Sequence, residues 1–167
     1  YMYWNNWLAG QTWSNFMDPG SIPEAADFVG PTDGVIFVRQ AQIRYTKGGF
    51  SVALENPETT LVGSTSSDRG ALPDLTLRYG WKGDWGTFGV GALARQLKVD
   101  RPGYDDSSFA GGLTVGGKWL MGSNDTLHYQ LTGGEGIARY IGLGITGDGV
   151  LDASDGSLDT TGVLAGY

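Results

Sequence analysis

The stretch that decides the fold is residues 75–81, Leu75-Thr76-Leu77-Arg78-Tyr79-Gly80-Trp81. Large apolar side chains alternate here with polar or small ones, and an arginine occupies one of the polar positions. A period of two is typical of a β-strand, because successive side chains of a strand point to opposite faces of the sheet. The stretch therefore predicts a strand with one apolar face and one polar face that carries a cation.

The same alternation recurs along the whole chain and predicts seven strands, with an eighth expected to begin at Leu158. The predicted strands are 7–14, 35–46, 50–56, 74–81, 87–99, 109–121 and 126–140. The apolar parity switches between Ala94 and Leu97, which predicts a β-bulge near Arg95-Gln96. A glycine-rich interruption at 133–136 leaves the facing of Arg139 open.

Positive and negative charges are distributed differently over these runs. The 18 Asp and Glu lie almost wholly between the runs, with Glu55 and Glu135 inside them and Asp74 at the first position of one. Seven of the 11 Lys and Arg lie inside the runs, namely Arg39, Arg44, Arg78, Arg95, Lys98, Lys118 and Arg139. Cations would be costly in the dry core of a soluble β protein. A barrel with a wet interior and an apolar outer surface needs this pattern, so the sequence predicts an antiparallel transmembrane β-barrel.

Composition narrows the class further. The 167 residues include 29 Gly, 6 Trp, 8 Tyr and no Cys, which favours an all-β chain without disulfides. The longest apolar run is 35–38, too short for a membrane helix. A net charge of −7 argues against a nucleic-acid partner. Tyr1 opens the chain without a charged start or cleavage site, so we expect either a removed signal peptide or a start inside a longer protein.

The connections are predicted to alternate between short turns and long loops, as in outer-membrane barrels. The short turns are 47–49, 82–86 and 122–125, and the long loops are 15–33, 57–73, 100–108 and 141–157. Aromatic residues flank the short turns and predict an interfacial girdle. These aromatic residues are Tyr45, Phe50, Trp81, Trp85, Phe88, Trp119 and Tyr129.

Several strings of residues resemble the DcaP-type porins of Gram-negative bacteria. They are 10–18 (GQTWSNFMD), 27–31 (DFVGP), 38–45 (VRQAQIRY), 50–59 (FSVALENPET) and 134–141 (GEGIARYI). The resemblance implies a homotrimer of 16-stranded barrels in the outer-membrane lipid, passing small anions and notably dicarboxylates. The chain is under half the usual length, so we expect residues 1–167 to be part of one barrel domain, covering roughly half of a 16-stranded porin.

The candidate site is a cationic ladder on the polar face of the strands. The residues predicted to line the pore are Gln40, Gln42, Arg44, Glu55, Arg78, Arg95, Lys118 and Gln130. Cations that line a narrow path with low-dielectric walls produce a focused electric field that attracts anions. The planar guanidinium group of arginine can bind a carboxylate through two hydrogen bonds. The alternative is that these cations pair with carboxylates of the wall or loops and only line water.

The loop 15–33 is the candidate constriction, with Asp18, Glu24 and Asp27 as the acids that shape it. Its prolines stiffen the backbone. The resemblance implies a loop that folds inward, so that its acids oppose the arginines of the wall and create a transverse field. The alternative is an exposed surface loop.

Other motifs give no enzyme and no cofactor. Residues 142–147 match G-x-G-x-x-G, but no helix follows, and chance is the better account among 29 glycines. Asp148, Asp152, Asp155 and Asp159 lack calcium-loop spacing and predict a solvated acidic loop. His128, the only histidine, is predicted to face inward, and no metal is expected. The rival functions are a small closed barrel with a structural or adhesive role, and a soluble β-fold that binds a sugar or protein.

Overall fold

The computed structural model describes residues 1–23, 34–63, 67–102, 104–122, 125–141, 144, 146–152 and 157–167. The described chain is all-β, with a 3-10 turn at Ala138–Tyr140 after β10. The strands are β1 (Met2–Trp4), β2 (Trp7–Trp13), β3 (Arg39–Lys47), β4 (Phe50–Glu55), β5 (Glu58–Thr60), β6 (Ser67–Arg69), β7 (Asp74–Gly83), β8 (Gly86–Arg101), β9 (Tyr104–Met121), β10 (Asp125–Glu135), β11 (Gly149–Leu151), β12 (Leu158–Thr160) and β13 (Gly162–Gly166). In the ranges described, no helix is long and apolar enough to cross a membrane.

Nine of these strands form one antiparallel sheet, in the order β1-β2-β3-β4-β7-β8-β9-β10-β13. Each strand pairs with its neighbour along the chain once the two small ribbons, β5–β6 and β11–β12, are set aside. Strands β1 and β13 are the two edges of the sheet as described. The seven predicted strands are all present. The eighth, expected to begin at Leu158, is divided into β12 in a ribbon and β13 in the large sheet. Strands β1, β5, β6 and β11 had no readable alternation.

Strand β8 is regular throughout, so the predicted bulge near Arg95-Gln96 is wrong. Its register against β9 runs unbroken from Gly86↔Trp119 to Arg101↔Tyr104. This long hairpin also takes up most of 100–108, which was predicted as a loop. The parity switches because Leu97 and Val99 pack with Leu61, which follows β5, and with Leu158 of β12, on the face that is polar elsewhere. The apolar parity therefore switches because different residues cover this part of the strand, and β8 contains no extra residue of the kind that forms a bulge.

Strand β10 ends at Glu135, five residues before the predicted end. Gly136 follows with φ 61°, a left-handed conformation that glycine adopts without strain. A Cβ at Gly136 would lie 2.5 Å from the Cβ of Ala110, so only glycine fits. The chain turns here across the sheet and buries Ile137 and Tyr140. Arg139 therefore lies in the 3-10 turn and in no strand.

The two faces of the large sheet differ in chemistry and in exposure. One face, called here the apolar face, is exposed, with Leu113 68% and Leu131 53% accessible. Its other members include Ile43, Leu54, Leu75, Leu77, Val90 and Leu164. The opposite face, called here the polar face, carries the amides, hydroxyls and charges, and most of these are buried. The chain thus exposes its apolar alternation and covers its polar one.

A hydrophobic cluster lies on the polar face, between the sheet and two covering segments. Phe16 and Met17 come from the first segment, Ile137 and Tyr140 from the second, and Leu93 from β8. Burial of each such side chain contributes about 1.5–3 kcal/mol. This cluster holds the covering segments against the polar face and so positions the site described next.

Candidate functional site

The first covering segment, residues 14–23, is called here the inner segment. It leaves β2 after Trp13 and crosses the polar face. Two local turns shape it: Phe16 N donates to Ser14 Oγ at 3.0 Å, and Gly20 N donates to Asp18 Oδ1 at 3.0 Å. Ser and Asp favour such turns because their side chains accept from a backbone N–H two residues ahead. The described part of the predicted loop 15–33 lies against the polar face, where Phe16 and Met17 are buried.

Glu55 of β4 anchors the start of the inner segment. Its carboxylate accepts from Ser14 Oγ at 2.8 Å, from Asn15 N at 2.7 Å and from Thr76 Oγ1 at 3.1 Å. Ser51 Oγ donates to Asn15 Oδ1 at 2.6 Å on the same side. Glu55 is buried. It holds the segment in place and is covered by it.

Asp18 and Arg78 connect the middle of the inner segment to β7. Asp18 Oδ1 lies 2.7 Å from Arg78 Nη2, and both side chains keep some solvent access. A Cβ at Gly89 would lie 3.1 Å from Asp18 Oδ2, so the glycine leaves room for the pair. An acid of the predicted constriction loop thus meets an arginine of the predicted pore wall. Glu24 and Asp27 lie outside the described residues.

The second covering segment, residues 136–141, places Tyr140 over the polar face. Its hydroxyl donates to Asp74 Oδ2 at 2.8 Å. The guanidinium groups of Arg95 and Arg139 lie 5.5 and 5.8 Å from the centre of its ring, in cation–π range. Burial raises the pKa of Tyr140 well above its ordinary value, so the hydroxyl remains a donor. Tyr140 joins two arginines and an aspartate in one buried cluster.

Arg95 lies at the centre of that cluster and is 2% exposed. It lies 3.2 Å from Asp74 Oδ2 and 3.0 Å from Asp148 Oδ1. It also donates to the carbonyl of Gly136 at 2.9 Å and to the carbonyl of Glu58. Arg95 shares the polar face with the other predicted pore residues. Its charge is neutralised by Asp74 and Asp148, and its side chain has almost no access to solvent in the described chain.

Asp148 corrects the expectation of a solvated acidic loop. It is buried, and besides Arg95 it accepts from Arg139 N at 2.9 Å and Thr60 Oγ1 at 2.9 Å. Asp152 and Asp159 are exposed, and Asp155 lies outside the described residues. Arg139 donates to Gln40 Oε1 at 3.1 Å and lies 3.3 Å from Glu58 Oε2. The loop therefore supplies a structural counter-ion that its sequence gave no reason to single out.

The remaining predicted pore residues fall into two groups. Gln40, Gln42 and Gln130 are buried; Gln42 Nε2 donates to Trp13 O at 2.9 Å and Gln130 Nε2 to Gly34 O at 3.0 Å. Arg44 and Lys118 are half-buried, and neither has an ion-pair partner in the ranges described. Together with Arg78, they are the cations of the ladder that remain accessible on the polar face.

A cleft of about 590 Å³ opens between the inner segment and strands β9 and β10. It is lined by Pro19, Gly20, Ile22, Pro23, Lys118, Thr126 and His128. Lys118 and His128 are direct partners across the two strands. The alternation of apolar and polar residues in the sequence predicted that both side chains lie on the polar face. It did not predict that the inner segment forms the opposite wall of the cleft.

The aromatic residues beside the short turns gather on the exposed side of the sheet. Five of them line one cleft of about 350 Å³: Trp81, Trp85, Phe88, Trp119 and Tyr129. The rings of Trp81 and Phe88 are 5.5 Å apart, and those of Trp7 and Tyr45 are 5.0 Å apart. The short-turn end of the apolar face is therefore an aromatic surface.

Comparison of the chain with protein-family models, with curated protein sequences and with solved structures gives no match. The resemblance to DcaP-type porins stays a prediction from the residue strings. Within the described ranges, no three acidic or histidine side chains are grouped so that they could hold a metal ion.

Proposed function

We propose that this chain forms part of the wall of a transmembrane β-barrel in the bacterial outer membrane, and that the barrel passes small anionic solutes by passive diffusion. The observation that carries the proposal is the sidedness of the large sheet. Leu113, Leu131 and Leu164 are exposed, while Glu55, Thr76 and Arg95 are buried on the opposite face. Water would penalise the exposed leucines, whereas lipid would stabilise them.

The topology supports the barrel. A membrane-spanning sheet has to close, because unpaired backbone groups in lipid cost several kcal/mol each. All nine strands of the large sheet are antiparallel, and their order in the sheet follows their order in the chain, as in outer-membrane barrels. We therefore expect further strands to pair with β1 and β13, and the resemblance implies a total of 16 strands in each subunit of a homotrimer.

Selection for anions would come from Arg44, Arg78 and Lys118. These cations lie on one face of the sheet and remain accessible beside the inner segment. A low-dielectric wall strengthens their field, and arginine can bind a carboxylate through two parallel hydrogen bonds. Asp18 supplies an opposite charge beside Arg78. The resemblance suggests dicarboxylates as the solutes, and the path requires no cofactor and no covalent step.

A second candidate is a closed barrel with a structural or adhesive role and negligible conductance. The observation that favours it is the cover on the polar face. The inner segment donates a hydrogen bond to buried Glu55, and the carbonyl of Gly136 in the second segment accepts one from buried Arg95. Arg95 also forms ion pairs with Asp74 and Asp148. Small barrels filled in this way conduct poorly. Single-channel recording separates the two candidates, since the first predicts discrete current steps and the second none.

The test of anion selection is the reversal potential of the protein in planar bilayers under a salt gradient. Arg44→Glu and Arg78→Glu should shift it toward cations, because each change replaces a cation of the path with an anion. Lys47→Glu is the matched control, since Lys47 is exposed at the end of β3 and is not among the predicted pore residues. A conducting protein whose selectivity is unchanged by both arginine variants would remove these residues as the filter. Stable monodispersity without detergent would instead support the soluble β-fold.

A further inference from the structure

We infer that the cleft between the inner segment and strands β9 and β10 is a binding site for a small organic monocarboxylate. Lys118 contacts the carboxylate, and Pro19, Ile22 and Pro23 contact the apolar body of the ligand. The inference rests on the proposed function, in which this cleft is one binding site along the path of anions. It adds a ligand class that differs from a dicarboxylate.

The charged wall of the cleft has a cation, Lys118, with no ion-pair partner among the described residues. Lys118 is half-buried and makes no ion pair within the described ranges. The acid of the inner segment nearest in the chain to the cleft wall, Asp18, is bound to Arg78 at 2.7 Å and accepts from Gly20 N. Arg95 and Arg139, by contrast, are neutralised by carboxylates. An ammonium group held at a cleft without a counter-ion favours an external anion.

His128 completes this wall. Its Nδ1 lies 3.1 Å from the carbonyl oxygen of Ser21, and a carbonyl only accepts, so Nδ1 carries the proton and donates. The bond fixes the ring and joins β10 to the inner segment. It leaves Nε2 without a hydrogen-bond partner in the described chain. Thr126, two residues earlier on the same face of β10, adds a hydroxyl to the lining.

The opposite wall sets the class of ligand. Pro19, Ile22 and Pro23 present carbon atoms, and Gly20 N is already bonded to Asp18. A second carboxylate placed against this wall would lose its hydration without gaining a donor, which is costly. An aliphatic or aromatic body would instead be stabilised there. A volume of about 590 Å³ is ample for such a ligand.

The test uses His128 as its reporter, because the chain has one histidine and its ring signals are therefore unambiguous. The detergent-solubilised protein, labelled at histidine, is titrated by NMR at one buffered pH with benzoate, benzamide, succinate and chloride. Benzoate should shift the ring signals saturably. It should bind about tenfold or more tightly than benzamide, its neutral isostere, because only benzoate offers a charge to Lys118. Succinate should bind more weakly than benzoate, and chloride should give no saturable shift.

Lys118→Gln should abolish the preference for benzoate over benzamide, while Lys47→Gln, the same change on β3, should leave it intact. Equal binding of benzoate and benzamide by the unmodified protein would overturn the inference, and this comparison needs no variant to fold. A preference that survives Lys118→Gln would overturn it as well. If the protein conducts anions but shows no preference for benzoate, the binding site is refuted and the proposed channel function is not. Saturable benzoate binding by a protein that passes no current refutes the channel alone.

Discussion

Asp18 Oδ1 lies 2.7 Å from Arg78 Nη2, so that one ion pair joins the inner segment to the wall of the sheet. The two residues are 60 positions apart in the chain. The pair fixes the middle of the inner segment to β7, and in the proposed channel it would reduce the positive charge that Arg78 presents to a solute. Both side chains are partly exposed, so the pair contributes little to stability, whereas in the proposed channel it would change the charge along the path of the solute.

Asp18→Asn should raise anion selectivity and single-channel conductance. The amide oxygen of Asn keeps the turn to Gly20 N, while the loss of charge frees Arg78. We expect a loss of stability below about 1 kcal/mol. Planar-bilayer recording measures the effect, and Asp84→Asn, at an exposed turn, is the control. Identical currents from both variants would show that the Asp18–Arg78 pair does not govern the path.

Arg95→Met should be strongly destabilising, by about 3–5 kcal/mol, because it leaves Asp74 and Asp148 as buried charges without their counter-ion. Lys98→Met, three residues along the same strand, removes an accessible cation and should cost less than about 1 kcal/mol. Denaturant unfolding in detergent micelles gives both values. A cost for Arg95→Met no larger than for Lys98→Met would mean that the cluster is hydrated.

Gly136→Ala should prevent the tight turn from β10 onto the polar face. Two penalties add: the left-handed backbone, about 1–2 kcal/mol, and a Cβ 2.5 Å from the Cβ of Ala110. Gly122→Ala is the matched control, since its φ is 72° and no atom lies within 4 Å of the added Cβ. The difference between the two variants in free energy of unfolding isolates the steric penalty. Equal losses would show that the chain does not pass this close to Ala110.

Leu113→Arg tests which solvent the apolar face meets. In a lipid bilayer, arginine at the middle of a spanning strand costs about 2–4 kcal/mol. In water the same substitution at a site 68% exposed should be within about 0.5 kcal/mol of neutral. Val62→Arg, at an exposed position outside the sheet, is the control. Folding equilibria in lipid vesicles should separate the two variants, and a near-neutral Leu113→Arg would place this face in water.

The charge cluster around Arg95 shows where reasoning from the sequence ends. Asp74 opens β7 with the parity of Thr76 and Arg78, so its facing was readable. Tyr140 and Asp148 come from irregular chain beyond β10, where no period assigns a facing. Both Arg95 and Arg44 were predicted to line the pore, yet Arg95 lies between two carboxylates and Arg44 has no described ion pair. The bulge expected at Arg95-Gln96 failed for the same reason, because the ribbons that bury Leu97 and Val99 lie far away in the chain.

What the sequence alone determined is seven strands of the large sheet, their pairing by short turns, and the chemistry of the two faces. These features follow from the period of two between neighbouring side chains, which is a local property of an extended backbone. Only the tertiary structure decided which polar side chains are covered, which cations have partners and where a cleft remains. Those outcomes depend on contacts between the sheet and segments dozens of residues away, and irregular segments have no period from which their position could be read.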